Sequence, residues 1–139
     1  MMTLSQMAVD ILTTSDPHQK VLKSHEYSKK WFNSKAKNEL IKIGSATPPK
    51  QPSRPIKPVL LSPRNMPKRK TGHEKGRIAL IHAIAHIELN AVDLHWDIIA
   101  RFSHIKMPNG FYDDWVKAAQ EESKHFSLLC NRLESMGSF

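Results

Sequence analysis

The chain has 139 residues, 40% of them hydrophobic, which suffices for one small domain and excludes a second independent one. Its net charge of +8 is unevenly distributed, since residues 1–76 carry +10 and residues 77–139 carry −2. A single cysteine, Cys130, excludes an internal disulfide and any metal site with several thiolate ligands.

The first 43 residues form a segment in which two helices are predicted. Apolar residues from Leu4 to Leu12 follow a helical period, and Asp16-Pro17 then supplies a stop and a fresh N-cap with proline at the first helical position. A second amphipathic helix should run from there past Trp31. The first residues lack a secretory signal, and no apolar run reaches about 18 residues, so we expect a soluble, cytoplasmic protein.

Residues 44–75 are predicted to form a basic, proline-rich strap without regular secondary structure. Seven of the nine prolines lie between Gly44 and Lys70, where no acidic residue occurs. We expect the Lys and Arg side chains from Arg54 to Lys70 to be mostly exposed. Their charge favours an RNA partner, although the absence of interleaved aromatic residues weakens that interpretation.

Residues 76–139 predict two long helices joined by a short turn. Neither Gly nor Pro interrupts residues 77–102, and Met107-Pro108-Asn109-Gly110 breaks the pattern before the second helix. A connection this short makes the pair an antiparallel hairpin. The apolar stripe of the first helix contains Ile81, Ile84, Ala85, Ala91, Val92, Ile98, Ile99 and Phe102. The stripe of the second contains Trp115, Ala118, Ala119, Phe126, Leu129, Leu133 and Met136.

Four polar side chains interrupt these two stripes. Glu88 and His95 lie on the apolar face of the first helix, and Glu122 and His125 lie on that of the second. A carboxylate that points into a core costs several kcal/mol unless it is paired or binds a metal. The four residues are therefore candidates for a site.

The register of the hairpin brings three of them to one level. Glu88 lies 14 residues before Phe102, and His125 lies 14 residues after Phe111, which places both about 21 Å from the turn. Glu122 and His125 form a Glu-x-x-His pair whose side chains share one helix face. We predict that Glu88, Glu122 and His125 meet.

One Glu facing a Glu-x-x-His pair is half of the ligand set of di-iron bundles, which use two of each. Carboxylate and imidazole without thiolate favour iron or manganese, with oxygen chemistry at open positions. The residues leave two interpretations open, a metal site made of Glu88, Glu122 and His125, and core-facing polar residues that coincide by chance. His95 is predicted to orient a ligand or to be a satisfied core histidine rather than a ligand.

Three blocks of the sequence resemble those of a known family. They are residues 76–89 with His86-Ile87-Glu88, residues 107–115, and residues 121–126 with the Glu-x-x-His pair. They resemble an uncharacterised bacterial family of ferritin-like proteins that is distantly related in fold to the tRNA-hydroxylating di-iron monooxygenases. The resemblance extends over most of the chain, including the strap. It implies a ferritin-like fold in which Glu88, Glu122 and His125 are metal ligands.

Members of that family continue with a second helix pair that carries the other Glu and Glu-x-x-His. This chain ends at Gly137-Ser138-Phe139, so the resemblance implies that one copy holds half of a di-metal site. A hairpin also cannot cover both of its own apolar stripes. We therefore expect a homodimer whose two-fold axis passes near the ligands.

The sequence thus predicts an all-α, ferritin-like half bundle that binds iron or manganese and is an oxidoreductase if a second copy completes the site. The alternatives are a non-catalytic helical protein that serves as a structural or interaction module, and an RNA-associated protein. Metal content separates the first prediction from the second, and salt-dependent RNA binding tests the third. The substrate is not predicted.

Overall fold

The computed structural model describes residues 1–55 and 74–138. Its regular elements are four α-helices, α1 (Leu4–Leu12), α2 (Pro17–Ala36), α3 (Glu74–Phe102) and α4 (Asn109–Ser135). They contain 71% of the residues that the structure describes, and no strand occurs in the described ranges, which confirms the all-α prediction. None of the four helices is both long and apolar enough to cross a membrane.

The two short helices begin at side-chain caps. The Thr3 hydroxyl accepts from the backbone of Gln6 while the Gln6 side chain accepts from the backbone of Thr3, which is a capping box. At α2 the Asp16 carboxylate accepts from the backbone of Gln19, and Pro17 occupies the first turn. The break predicted at Asp16-Pro17 is confirmed.

The two long helices pack against each other as the predicted hairpin. Helix α3 begins at Glu74, two residues before the predicted start, and α4 ends at Ser135. Gly137 follows with a φ of 79°, a left-handed conformation that glycine adopts without steric cost. Since α3 and α4 run antiparallel, residues equally far from the turn lie at one level.

Helices α1 and α2 cover one side of this hairpin. The core includes Leu4 and Ile11 of α1 together with Val92 and Trp96 of α3 and Val116 of α4, all 0% exposed. The predicted apolar stripe of α3 is not the face that points into this core. Its residues Ala85, Val92 and Ile99 are buried, but Ile81, Ile84, Ala91 and Ile98 are half-buried and Phe102 is exposed.

The described part of the proline-rich segment, residues 44–55, contacts the helices through hydrogen bonds and an ion pair. Residues 44–55 contain no helix or strand, the Ser53 amide donates to the Leu12 carbonyl, and Arg54 pairs with the buried Asp93 at 2.6 Å. The prediction that Arg54 is exposed is wrong, because its side chain is only 16% exposed. The other basic residues of the strap, from Lys57 to Lys70, lie outside the described residues.

Candidate metal centre

Buried hydrogen bonds fix the rotation of α4 about its axis. Ser24 of α2 accepts from the Trp96 indole N–H at 2.7 Å and from the Ser123 hydroxyl at 2.6 Å, and all three residues are 0% exposed. Because Ser123 is held against α2, the side chains of Glu122 and His125 are turned away from α2 and toward α3. The serine network thus positions two of the candidate ligands.

The rotation of α3 is fixed in a similar way. Leu89 packs with Val21 and Phe126, and Asp93 is held by Lys20 and Arg54 on the side that faces the N-terminal helices. Glu88 precedes Leu89 in the sequence and therefore lies on the flank of α3 that faces α4.

Glu88, Glu122 and His125 meet in the groove between α3 and α4. The Nδ1 atom of His125 lies 3.6 Å from the Glu122 Oε2 atom and 3.8 Å from the Glu88 Oε2 atom. One ligand atom from each of the three residues lies within 4.8 Å of the other two. The structure thus brings together the three residues that the register predicts to meet.

The burial of these side chains differs in a way that matters for a bound ion. The Glu88 and Glu122 side chains are 20% and 26% exposed, whereas the His125 side chain is 52% exposed. The cluster is therefore enclosed on the side of the hairpin core and open on the opposite side.

The arrangement suits a divalent cation. Donor atoms about 2.1 Å from a common ion are roughly 3 to 3.5 Å apart, which is close to the distances from the imidazole to the two carboxylates. At these distances the imidazole makes no hydrogen bond to either carboxylate, so all three donors would be available to one ion. Two carboxylates and one imidazole are ligands that iron and manganese accept.

Comparison with known proteins assigns the chain to a family. Residues 13–139 match the family described as "Protein of unknown function (DUF455)". The chain belongs to the DUF455 family. This match includes α2, α3, α4 and all three residues of the cluster.

A DUF455 chain of this length is short beside a curated relative. An uncharacterized protein of Haemophilus influenzae is 42% identical over 88 residues, which cover 60% of this chain but only 31% of the relative. No solved structure matches the chain. The family and the relative therefore support no particular reaction.

His95, predicted to orient a ligand, lies outside the three-residue cluster of this DUF455 chain. Its ring packs on Trp115 with the ring centroids 5.2 Å apart, and its Nδ1 atom is buried without a hydrogen-bond partner among the described residues. Burial lowers the pKa of the imidazole, although a hydrogen bond with the Ala118 backbone opposes that change. His95 is thus a neutral ring along the same groove.

Sequence reasoning missed two features outside the cluster, a buried ion pair and a cavity. Lys20 and Asp93 form a buried ion pair, and the signal for it was weak, because a single Lys at a core position of a Lys-rich helix looks like a surface residue. The second is a cavity of about 180 Å³ between α2 and α4 that His18, His25, Cys130 and Glu134 line. There burial raises the pKa of the Cys130 thiol, which therefore stays protonated.

Proposed function

We propose that this protein is a ferritin-like metal-binding protein that holds iron or manganese through Glu88, Glu122 and His125. The observation that carries the proposal is the convergence of the three side chains in one groove, with ligand atoms within 4.8 Å of one another. The three side chains are 20%, 26% and 52% exposed, so the support comes from their convergence and not from a cost of burial.

The charges around the cluster support this proposal over a purely structural role. Among the residues that the structure describes, the ion pairs of Glu88 and Glu122 are with His125 alone. Asp93, a buried carboxylate of α3, has two cationic partners, Lys20 and Arg54. Two carboxylates left with one imidazole are best compensated by a cation from solution.

Bound iron or manganese would supply redox and oxygen chemistry at coordination positions that protein ligands leave free. The protein's own residues have simpler tasks. Glu88 and Glu122 would hold the ion and balance its charge, and His125 would bind at the mouth of the groove. The half-buried Ile84 and Trp115 would limit the access of water to one side of the site.

Glu88, Glu122 and His125 make up half of the ligand set of a di-metal site, which a second copy of the chain would complete. A two-fold arrangement would supply two Glu88 residues and two Glu122-x-x-His125 pairs, the full set that di-iron bundles use. We therefore include a homodimer in the proposed function.

Metal binding by matched variants tests the proposal. Wild-type protein expressed with added iron or manganese should contain metal by elemental analysis, and Glu122→Gln should lose at least about 90% of it, since metal sites depend strongly on each ligand. Glu121→Gln is the control, because Glu121 is a neighbouring exposed carboxylate outside the cluster. Equal metal content in all three proteins, or none in the wild type, would refute the metal site.

A further inference from the structure

The turn between α3 and α4 leads into an Asn-Gly pair, Asn109-Gly110, which forms the first two positions of α4. Both residues are exposed, and a methyl group added to Gly110 would meet no atom of the described chain around it within 4 Å. The Asn109 side chain makes no hydrogen bond to any described residue. Within the described ranges, the pair is therefore open to water.

The backbone of this pair is held weakly. The first amides of a helix have no carbonyl one turn earlier to bond, and Pro108 at the N-cap supplies no side-chain hydrogen bond. The first bond of the turn runs from the Phe111 amide to the Pro108 carbonyl at 3.0 Å, whereas the Gly110 amide donates to no described acceptor. Since helix ends fray, the Gly110 nitrogen is free to turn toward the Asn109 side chain.

An exposed asparagine followed by such a glycine can lose its amide without an enzyme. The Gly110 backbone nitrogen gives up its proton and attacks the Asn109 Cγ atom, so that a C–N bond forms and closes an imide ring. The bond from Cγ to Nδ2 breaks, and Nδ2 leaves as ammonia with that proton. Glycine favours the attack because it has no Cβ atom to obstruct the approach.

Water then opens the imide at either of its two carbonyl carbons. Attack at the side-chain carbonyl restores the ordinary backbone and leaves aspartate at position 109. Attack at the main-chain carbonyl leaves isoaspartate, in which the main chain runs through the side chain and gains one carbon atom. The whole reaction consumes one water, releases one ammonia and needs neither oxidant nor reductant. We propose that Asn109 is a site of spontaneous deamidation in the folded protein, and that its two products have opposite effects on the start of α4.

Aspartate at position 109 stabilises the start of α4. The first turn of this helix contains no acidic residue, so a carboxylate there interacts favourably with the unpaired amides and with the helix dipole. Asp113 lies four residues further along the helix, where a like charge would repel the new one. Its ion pair with Lys35 weakens that repulsion.

Isoaspartate has the reverse effect, because its additional carbon lies inside the first turn. The hydrogen bond from the Phe111 amide to the Pro108 carbonyl spans position 109. The Phe111 ring packs on Phe102 with the ring centroids 5.9 Å apart, and the Tyr112 hydroxyl donates to the Phe102 carbonyl at 3.1 Å. A longer main chain at position 109 therefore disturbs the contacts between the start of α4 and the end of α3.

Peptide mass spectrometry of the full chain, incubated folded at neutral pH, tests the site. Trypsin releases Asn109 in residues 107–117 and Asn33 in residues 31–35, so both are followed in one sample and compared with protein that was not incubated. Asn33 is the internal control, because it is also exposed but lies within α2, where helical hydrogen bonds hold the backbone.

Asn109 should exchange its amide for a carboxyl group at least about tenfold faster than Asn33 in the folded protein. Gly110→Ala, which fits the open space at this position, should slow the reaction at Asn109 by at least about tenfold. Equal rates at Asn109 and Asn33 would overturn the site. An Asn109 that reacts in urea but stays intact in the folded protein would overturn it as well, since the start of α4 would then be too rigid.

Melting temperatures test the two products. Asn109→Asp supplies the aspartate product alone and should melt about 1 to 4 °C above the wild type. Incubated wild-type protein, with its isoaspartate measured by an isoaspartate-specific methyltransferase, should melt below this variant. An Asn109→Asp variant that melts no higher than the wild type, or an incubated sample that melts with the variant, would overturn the opposite effects. None of these measurements involves a metal ion, so their failure would leave the proposed function standing.

Discussion

Lys20 and Asp93 form an ion pair inside the bundle, with the Nζ atom 2.7 Å from the Oδ1 atom and side chains 0% and 3% exposed. Burial raises the pKa of the Asp93 carboxyl and lowers the pKa of the Lys20 ammonium, against the effect of the pairing itself. Lys20 also donates to the Ser53 carbonyl at 2.8 Å, and Arg54 pairs with Asp93 from the other side. One carboxylate thus joins α2, α3 and the proline-rich segment.

Loss of Asp93 should cost more stability than loss of Lys20. Asp93→Asn leaves two cations without their counter-charge and should lower the free energy of unfolding by about 3 to 5 kcal/mol. Lys20→Met should cost less, because Asp93 keeps its ion pair with Arg54. Urea unfolding of both variants measures the order, and an equal or reversed order would contradict this account.

The Tyr27 hydroxyl donates to the Asp10 carboxylate at 2.5 Å, which gives a prediction at alkaline pH. Burial, followed by the contact with Asp10, raises the pKa of Tyr27 to about 12 from its ordinary value of 10.0. The folded protein thus favours the protonated phenol. The contribution of Tyr27 to the free energy of unfolding is therefore complete below pH 10 and is lost as the pH rises through about 12.

Tyr27→Phe isolates this contribution. The variant should be about 1 kcal/mol less stable than the wild type at pH 7 through the lost hydrogen bond. That difference should shrink between pH 10 and pH 12, where the wild type alone loses the phenolic proton. Chemical denaturation of both proteins across this range measures the difference, which a constant value at every pH would contradict.

The serine network predicts a further asymmetry. Ser24→Ala leaves the buried Trp96 indole N–H without its acceptor and should cost about 1 to 3 kcal/mol. Ser123→Ala keeps the bond between Trp96 and Ser24 and should cost only about 1 kcal/mol. Thermal unfolding of the two variants ranks them, and a larger cost for Ser123→Ala would show that Ser24 is not the centre of the network.

The sequence was sufficient to predict the helices and the meeting of three distant residues. The helix breaks at Asp16-Pro17 and Pro108 depend on the local sequence alone. The antiparallel hairpin then determines which residues of α3 and α4 lie at the same level. Glu88, Glu122 and His125 could be placed together because their distances along the two helices determine their height in the bundle.

The rotation of α3 could not be predicted in the same way. The sequence pattern predicts Ile84 and Ala91 in the core, but the structure buries Leu89 and Trp96 instead. Because α3 is apolar over more than half of its circumference, its pattern does not determine which face points inward. The choice of the inward face depends on the covering helices, and the position of Lys20 in α2 and the Asp93 pair settle it. Long-range pairs of this kind have no signature in either helix alone.

Glu122→Gln should reverse its effect on stability when metal is added. Without metal the variant removes one of two neighbouring carboxylates and should be about 1 kcal/mol more stable than the wild type, since like charges at this spacing repel. With Mn(II) at a concentration about 100-fold above its dissociation constant, the wild type should gain about 2.7 kcal/mol and the variant little. The two melting temperatures should therefore change order, whereas Glu121→Gln should follow the wild type in both conditions. A wild type whose melting temperature is the same with Mn(II) and with chelator would argue against ion binding at this cluster.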